Sequence, residues 1–415
     1  MSPMQQLLNE LYSVLDSKDK ITQNDMSLLS HWLTDNLEQS PLMPNTMYES
    51  LSKNFKDFSV ELSSNKNQID IVNRKIHLEC IPYPPVKTPK FTFIDLFAGM
   101  GGFRQAMQSH DGKCVFSSEW DKYAAQTYFE NYGEMPYGDI RQVDPNDIPD
   151  HDILCGGFPC QPFSLAGVSK KNSLGIKHGF EDETQGTLFF NVAKILKTKR
   201  PKAFFLENVK NLFRHDKGKT FEIIRRTLEE ELGYCVQWKV VNASPWVPQR
   251  RERLFIVGFD PKQIDVTDIE DLIPTTPINV DYEYKSLSSM INKSVPEKYT
   301  LGPGTWSTLQ RHKKHHADAG NGFGYKMHSL PLSDTEITRT ISARYHKDGA
   351  EILIEQPGKR PRKLTVKEAM QLQGYDHNKF RFPVSNTQAY KQIGNSVVVP
   401  LIKDVSSNIV SKILP

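Results

Sequence analysis

The sequence predicts an α/β protein: a doubly wound, mostly parallel sheet, a smaller and mostly β or irregular domain, and an N-terminal helical extension. Short apolar segments alternate with helical patterns from residue 91 to residue 259. A glycine-rich turn follows the first apolar segment, as in open sheets that bind nucleotide-containing cofactors. The alternation is lost after residue 260. We therefore expect an extension and linker over residues 1–88, an α/β domain over 89–262 and 364–415, and the smaller domain over 263–363.

The composition indicates an ordinary soluble protein, since the 415 residues are 38% hydrophobic and 24% charged. No apolar run approaches the ~18 residues of a membrane span, and the first residues lack a basic, apolar signal region. We therefore expect a cytoplasmic protein without a membrane partner. The five cysteines include no C-x-x-C pair, so we expect neither disulfides nor a metal site.

The charge is distributed unevenly along the chain. Residues 1–88 hold 8 Lys and Arg against 11 Asp and Glu, whereas residues 285–363 hold 14 against 7. The basic segment indicates a phosphate-facing surface, with an ordinary solvated face as the alternative. The acidic extension shows helical spacing over residues 7–15 and 26–37, and we expect it to have a packing or positioning role.

Acidic residues follow the first predicted strands. The strand at 91–97 runs into the glycine turn at 98–104, and the strand at 113–118 ends in Glu119 and Trp120. An acid there suits a ribose diol, and a Trp beside it offers a face for an adenine. Asp139 would face the adenine amino group from a third, less distinct strand end. Each acid could instead be a plain helix cap; together they favour a cofactor site.

Cys160 lies in a loop after a short strand at 152–155. Gly156 and Gly157 free the backbone, whereas Pro159 and Pro162 restrict it on either side of the thiol. A thiol held at the carboxyl edge of a sheet suits nucleophilic attack. The alternative is a buried structural cysteine, which prolines in a glycine-rich loop disfavour.

The later elements add further candidates. A helix at 186–196 and a strand at 203–206 precede Glu207, where Asn208 could instead cap a helix. A helix at 221–232 and a strand at 236–241 follow. Arg251 and Arg253 alternate at the start of the next strand, where they would share a face and hold an anion or a carboxylate.

The last third of the chain contains few regular patterns. Between residues 260 and 354 we expect only short strands, and the clustered histidines at 312–316 lack the partners of a metal site. Thr365 and Glu368 form a capping box at the start of a helix. Asn395 and Ser396 are predicted to cap the head of an apolar helix and also to touch the cofactor.

In this order, the blocks resemble the cytosine-C5 DNA methyltransferases over about residues 91–415. The closer resemblance is to the bacterial Dcm type, which methylates the inner cytosine of CCWGG; it rests on residues 164–175, 320–325 and 338–354. The residues that carry the family match are the Asp95–Arg104 turn, Glu119-Trp120, Asp139-Ile140, Pro159-Cys160-Gln161, Glu207-Asn208-Val209, Gln249-x-Arg251-x-Arg253, Arg362–Tyr375 and Gln392–Pro400.

The resemblance implies a SAM-dependent methyltransferase fold with S-adenosylmethionine (SAM) as cofactor and no metal. Cys160 is then the nucleophile, Glu207 binds the target base, Arg253 holds its O2, and Arg251 orients the Glu207–Cys160 arrangement. The segment at about 265–355 becomes a target-recognition domain, and the loop at 165–180 closes over the flipped base. The implied cofactor residues are Phe97, Ala98, Gly99, Gly101, Gly102, Glu119, Trp120, Asp139, Ile140, Leu188, Asn395 and Ser396. The implied substrate-binding residues are Gln161, Ser164, Asn321 and Gly322.

The partner implied is double-stranded DNA, bound by a monomer at CCWGG or a related CC-containing site in the nucleoid. A cognate restriction endonuclease in the same system stays an open question. Two other functions stay open as well, a tRNA cytosine-C5 methyltransferase and a non-catalytic DNA-binding regulator. The basic recognition segment disfavours the first, and the presence of Cys160, Glu207 and Arg253 disfavours the second.

Overall fold

A computed structural model describes residues 23–34, 81–159, 188–266, 271–322 and 324–414. The chain divides into two compact units, the first formed by residues 1–240, 253–273 and 405–415, the second by 241–252 and 274–404. This division places residues 364–404 with the smaller unit, whereas the predicted domains placed them with the α/β sheet. The domain boundaries given above remain a prediction.

The sheet of the α/β fold has six strands, and its order places the carboxyl ends of four parallel strands at one edge. The order is β2-β1-β3-β4-β6-β5; β1 pairs in parallel with β2 and β3, β3 pairs in parallel with β4, and β6 is antiparallel to β4. The order reverses between β1 and β3, which is where open sheets bind ligands. The strands are β1 (Phe91–Leu96), β2 (Gly112–Ser118), β3 (Ile153–Gly156), β4 (Ala203–Val209), β5 (Cys235–Asn242) and β6 (Glu252–Phe259).

Helices connect these strands, which confirms the predicted α/β fold class. The predicted helix at 221–232 is an α-helix that continues as a π-helical turn over Thr227–Glu231, and Gly233 follows it with a φ of 71°. In chain order the α-helices are α1 (Gln23–Thr34), α2 (Gly102–Gln108), α3 (Lys122–Tyr132), α4 (Leu188–Lys199) and α5 (Lys219–Arg226). The shorter 3-10 segments are Ile140–Gln142, Pro145–Asp147 and Lys210–Gly218.

The central strands are buried on both faces, which explains their continuous apolar sequences. Every residue of β3 is buried, and so is every residue of β4 before Val209. Leu154, Phe204 and Leu206 join one core cluster with residues of α4 and α5. Removing this much apolar surface from water stabilises the sheet, at roughly 25 cal/mol per Å². The sheet is therefore a rigid support for the loops at its carboxyl edge.

The second unit contains short strands in a small sheet, as expected, and a long helix that was not expected. Residues 303–318 form a 16-residue helix, although only short strands were expected there. Its pattern was obscured because Leu309 is its one buried residue and most of the others are exposed. Leu309 packs with Leu301 and Leu353, and the half-buried Trp306 packs against the same cluster. The elements are α6 (Leu287–Met290), α7 (Pro303–Asp318), β7 (Met327–His328), β8 (Leu353–Gln356), β9 (Lys359–Arg362), α8 (Val366–Gln371), α9 (Asn386–Asn395) and α10 (Val399–Ile413), whose last residues belong to the first unit.

The predicted capping box at the start of α8 is present and belongs to a buried ion pair. Thr365 accepts the N–H of Glu368, whose carboxylate accepts the N–H of Thr365 at 2.7 Å. Both Glu368 oxygens also accept hydrogen bonds from the Arg362 guanidinium at 2.9 Å. Both oxygens of the Glu368 carboxylate therefore accept hydrogen bonds, which compensates the free-energy cost of burying its charge.

No helix in the described part of the chain is long and apolar enough to cross a membrane.

Candidate active site

The turn after β1 is held open by an unusual backbone. Phe97, Gly99 and Gly101 have φ values of 56°, 55° and 79°, and a left-handed conformation is strained for a phenylalanine. The Tyr132 hydroxyl donates to the Gly101 carbonyl at 2.9 Å, and a Cβ on Gly101 would lie 2.3 Å from the Tyr132 ring. Among the described residues, a Cβ on Gly99 would meet only the Phe97 carbonyl oxygen, at 3.9 Å. Gly101 therefore packs against the protein, while the described residues leave space over Gly99 for a ligand.

Two further residues of the predicted cofactor turn have structural roles. Ala98 is buried and its N–H donates to the Ser118 carbonyl at 3.0 Å, which ties the turn to the end of β2. Gly102 is the first residue of α2, so free N–H groups of this helix face the turn.

Glu119 closes one side of the turn from the end of β2. Its side chain accepts the N–H of Gly99 at 2.9 Å and the N–H of Asp121 at 2.8 Å. Burial raises the pKa of the Glu119 carboxyl, and these two N–H groups oppose the rise. Trp120 beside it is 74% exposed, which leaves its ring available for stacking. A buried acid beside an exposed aromatic ring suits a ribose bearing an adenine.

Asp139 occupies a different local structure from the one expected. A single bridge, Ser118 with Tyr137, replaces the third strand. The Asp139 carboxylate accepts the Arg141 N–H at 3.0 Å and pairs with the Arg141 side chain at 2.9 Å, so it caps a 3-10 helix. These hydrogen bonds lower the pKa of Asp139. The capping alternative is therefore present, and a contact of Asp139 with adenine stays a prediction, as it does for the buried Ile140 that follows.

The remaining predicted cofactor residues lie at the ends of two helices, α4 and α9. Leu188 is the first residue of α4 and packs against the sheet core. Asn395 is the last residue of α9 and Ser396 its C-cap, so the expectation that they open an apolar helix was wrong. The error has a simple cause: the apolar residues 397–399 are followed by Pro400, and α10 begins only at Val399. Ser396 is held by the Tyr375 hydroxyl at 2.8 Å.

Glu207 and Arg253 form an ion pair on neighbouring strands. Arg253 Nε donates to Glu207 Oε1 at 2.9 Å, and both side chains are mostly buried. β4 and β6 are antiparallel with Val209 opposite Arg253, which brings the two side chains together at the carboxyl end of β4. Arg253 thus holds a carboxylate, which is one of the two partners expected for the paired arginines.

The loop that leads to Cys160 is tied to the same strand end. A Cβ built on Gly157 would lie 3.5 Å from Glu207 Oε2, so the glycine backbone passes close to the carboxylate. Asn208 Nδ2 donates to the Phe158 carbonyl at 2.7 Å. Asn208 lies within β4 and does not cap a helix. Its role was missed because an asparagine after a strand is ordinarily a cap, and only its partner on a distant segment reveals the tether.

Arg251 is buried and has a structural role in the second unit. Its guanidinium donates to the carbonyls of Ile341 at 3.2 Å and Gly394 at 3.1 Å. Gln249, also buried, donates to the Leu372 carbonyl at 2.8 Å and accepts the Ile341 N–H at 2.8 Å. These bonds join chain segments far apart in sequence, whereas orientation of the Glu207–Cys160 arrangement by Arg251 remains a prediction.

The other predicted substrate-binding residues are only partly described. Cys160, Gln161 and Ser164 lie outside the described residues, together with the loop at 165–180. Asn321 and Gly322 are exposed after α7, and Asn321 Oδ1 lies 2.7 Å from His316 Nδ1. The described residues contain no group of three or more His, Cys, Asp or Glu side chains that could hold a metal ion.

The strand–turn–helix arrangement and the sheet order define an α/β protein with a cofactor-binding edge. Residues 91–411 match the family of C-5 cytosine-specific DNA methylases. The chain is 40% identical to the DNA-cytosine methyltransferase of Escherichia coli K12, over 99% of this chain and 93% of that protein. It is 50% identical to the Type II methyltransferase M.SsoII of Shigella sonnei, over 80% of this chain and 83% of that one.

Solved structures agree on the fold. A Dnmt2 methyltransferase of S. pombe covers 78% of this chain with a TM-score of 0.59, at 17% identity over 98% of its own length. Taken with the family match, the chain belongs to the C-5 cytosine-specific DNA methylases, and its enzyme class is DNA (cytosine-5-)-methyltransferase.

Proposed function

We propose that this enzyme transfers a methyl group from SAM to C5 of a cytosine flipped out of a short, specific site in duplex DNA, through a covalent bond between Cys160 and C6. The observation that carries the proposal is the Glu207–Arg253 pair, with its 2.9 Å contact, beside the loop backbone at Gly157. Cys160 follows that glycine by three residues along the chain. A nucleophile and a fixed carboxylate are the two groups that attack on a cytosine ring requires.

The chemistry assigns each group one task. The Cys160 thiolate adds to C6, and Glu207 hydrogen-bonds N3 and N4 and so stabilises the charge that builds on the ring. C5 then has the electron density to take a methyl group, which SAM supplies from its sulfonium. Loss of the C5 proton restores the ring and expels Cys160 as thiolate. Arg253 keeps Glu207 in one orientation, and Arg253 itself contacts O2 of the base.

The described residues of the first unit fit SAM. The Gly99 position leaves space over the turn, the carboxylate of Glu119 is fixed by two backbone N–H groups, and the Trp120 ring is exposed. The carboxylate would accept the ribose hydroxyls, and the indole would stack on the adenine. Asp139, Ile140, Leu188, Asn395 and Ser396 are proposed cofactor contacts on the resemblance alone.

A target base inside a duplex is out of reach of Cys160, so flipping must precede attack, at a cost of a few kcal/mol. Contacts from the basic segment at 285–363 to phosphates would offset this cost. We propose CCWGG or a related CC-containing site as the target, because the chain resembles the Dcm type and is 40% identical to the E. coli DNA-cytosine methyltransferase. The Type II name of the M.SsoII relative makes a cognate endonuclease a proposed partner.

Bisulfite sequencing tests the proposal directly. Plasmid DNA is recovered from methylation-free cells that express the chain, with Cys160→Ala expressed alongside. We expect protected cytosines in one short sequence context, absent from the variant, while the purified variant still binds SAM. Protection that persists in Cys160→Ala would exclude this nucleophile, and protected tRNA in place of DNA would redirect the substrate assignment.

Glu207→Gln separates chemistry from binding. Because the proposed hydrogen bonds strengthen as charge builds on the ring, we expect methyl transfer to slow by at least 100-fold, about 2.7 kcal/mol, with little change in DNA affinity. An equal loss of DNA affinity and rate would mean that Glu207 serves only ground-state binding.

A further inference from the structure

The described helix of the N-terminal extension contacts two of the segments that carry proposed cofactor residues, those at Glu119–Trp120 and before Asp139. At the first turn of α1, Gln23 Nε2 donates to the carbonyl of Glu119 at 2.8 Å and to that of Pro136 at 2.9 Å. Asn24 Oδ1 accepts the N–H of Gly138 at 3.0 Å. Two adjacent side chains therefore bind three backbone groups, and these groups are more than 90 residues away in sequence.

Residues further along α1 contact the segment that precedes Gly138. Ser30 Oγ accepts the Met135 N–H at 2.7 Å, and His31 Nε2 lies 3.5 Å from the Glu134 carboxylate. That carboxylate is paired with Arg104, which is buried on α2 directly after the glycine turn. The helix is thus attached at both ends to the side of the sheet that bears the turn.

The two segments that α1 binds are also hydrogen-bonded to each other. The Glu119 N–H donates to the Tyr137 carbonyl at 2.7 Å, and the Ser118 hydroxyl donates to the Gly138 carbonyl at 2.8 Å. Gln23 bridges the same two segments from outside, and the peptide groups it fixes precede Trp120 and lie close to Asp139. A shift of either segment would turn the exposed indole ring and move the Glu119 carboxylate.

We propose that α1 is a positioning element for SAM, in which Gln23 and Asn24 fix the backbone that presents Glu119, Trp120 and Asp139. The inference rests on the cofactor site proposed above and assigns part of the N-terminal extension to it. Gln23 and Asn24 bind the backbone of the proposed cofactor site, so their removal should weaken SAM binding and leave DNA affinity unchanged.

Isothermal titration of SAM into the full-length protein, without DNA, tests the role of Gln23. Gln23→Ala removes both donated hydrogen bonds, and we expect SAM to bind about tenfold more weakly. Gln23→Glu has the same shape but presents acceptors to two carbonyl oxygens, so we expect at least the same loss. Affinity restored by the glutamate would mean that Gln23 acts only by packing and would overturn the proposal.

Gln263→Ala is the matched control. Its side-chain amide also makes two hydrogen bonds, to the Arg200 carbonyl at 2.6 Å and to Asp260 Oδ2 at 3.0 Å, but at a different place, where β6 ends beside the start of β4. We expect this variant to bind SAM like the wild type, and equal weakening in both variants would show a general loss of stability.

Asn24 supplies an independent pair of variants. Asn24→Ala deletes the acceptor for the Gly138 N–H and should weaken SAM binding, whereas Asn24→Asp keeps that acceptor and should restore it. Thermal unfolding of each variant reports whether the fold is intact. A wild-type chain that binds no SAM overturns the proposed function itself; a wild type that binds SAM, with unchanged Gln23 and Asn24 variants, overturns only the role of α1.

Discussion

Glu119 is the residue whose protonation state matters most to the proposed cofactor site. Burial raises the pKa of its carboxyl above the ordinary glutamate value. The ionised form accepts hydrogen bonds from the Gly99 and Asp121 N–H groups and would also accept the ribose hydroxyls. We expect SAM affinity to fall as the pH decreases through this raised pKa, in a range where an exposed glutamate would still be charged. Titration calorimetry between about pH 8 and about pH 5 measures this change in SAM affinity.

Two variants test whether Glu119 is the group that causes the pH dependence of SAM affinity. Glu119→Gln has no titrating group, so its weaker SAM binding should be independent of pH over the same range. Asp139→Asn should keep the wild-type dependence, because hydrogen bonds from Arg141 lower the pKa of Asp139 and move its titration to more acidic solution. A wild-type affinity that is flat with pH would contradict the assigned role of Glu119.

Individual residues differ in how far the sequence could place them. Glu119 and Glu207 follow strands, and a strand end is readable from an apolar run before an acid. The left-handed φ of Phe97 and the tether from Asn208 to Phe158 were not readable. The first depends on a turn that tertiary packing holds in strain, and the second joins side chain and backbone 50 residues apart.

Among the elements, α9 shows how closely packed the second unit is. A Cβ on Gly394 would lie 2.2 Å from the Ser342 carbonyl carbon and 2.3 Å from the Ala343 nitrogen. Backbone atoms cannot move aside as a flexible side chain does, so we expect Gly394→Ala to lower the free energy of unfolding by about 3 kcal/mol. Urea denaturation followed by circular dichroism measures this change.

Gly304→Ala in α7 is the control for that prediction. A Cβ there meets no atom of the described residues within 4 Å, and alanine favours the helix, so we expect no loss and a gain of up to about 1 kcal/mol. Destabilisation of the two variants by the same amount would mean that the close contact at Ser342 is not the cause.

The prediction of elements succeeded where apolar spacing was clear and failed where it was not. The strands of the sheet and the capping box at Thr365 could be read directly, because burial or a local hydrogen-bond pattern determines them. Helix α7 could not, since it begins with Pro303 and Gly304 and buries a single leucine under a basic run. Asn395 and Ser396 were assigned to the wrong helix end for a related reason, as apolar residues continue across the boundary.

At the scale of the whole molecule, each of the two compact units combines segments that are separated along the chain. Residues 241–252 and 364–404 group with the small sheet, although the first segment connects β5 to β6 and the second was expected in the α/β domain. Buried Gln249 and Arg251 explain the grouping, because they bind the backbone near Ile341, Leu372 and Gly394. Such contacts between distant segments have no signature in local spacing, so the sequence predicted an α/β sheet and a smaller domain without indicating this grouping; the predicted domain boundaries remain a prediction.

The charge distribution of the whole chain predicts how DNA binding depends on salt. Arg311 and Lys314 are exposed on α7, within the basic segment at 285–363. If both contact phosphates, Arg311→Gln with Lys314→Gln should reduce the slope of log K against log salt by about 1.8, since each phosphate contact contributes about 0.9. The loss of affinity should be the same for specific and unrelated duplexes, because phosphates carry no sequence. Fluorescence anisotropy over a salt series measures both quantities.

Lys194→Gln with Lys197→Gln on α4 is the control, because it removes the same charge from an exposed helix face of the sheet domain. We expect this double variant to leave the slope unchanged. An equal change of slope would mean that net charge alone causes the effect and that α7 does not contact DNA phosphates.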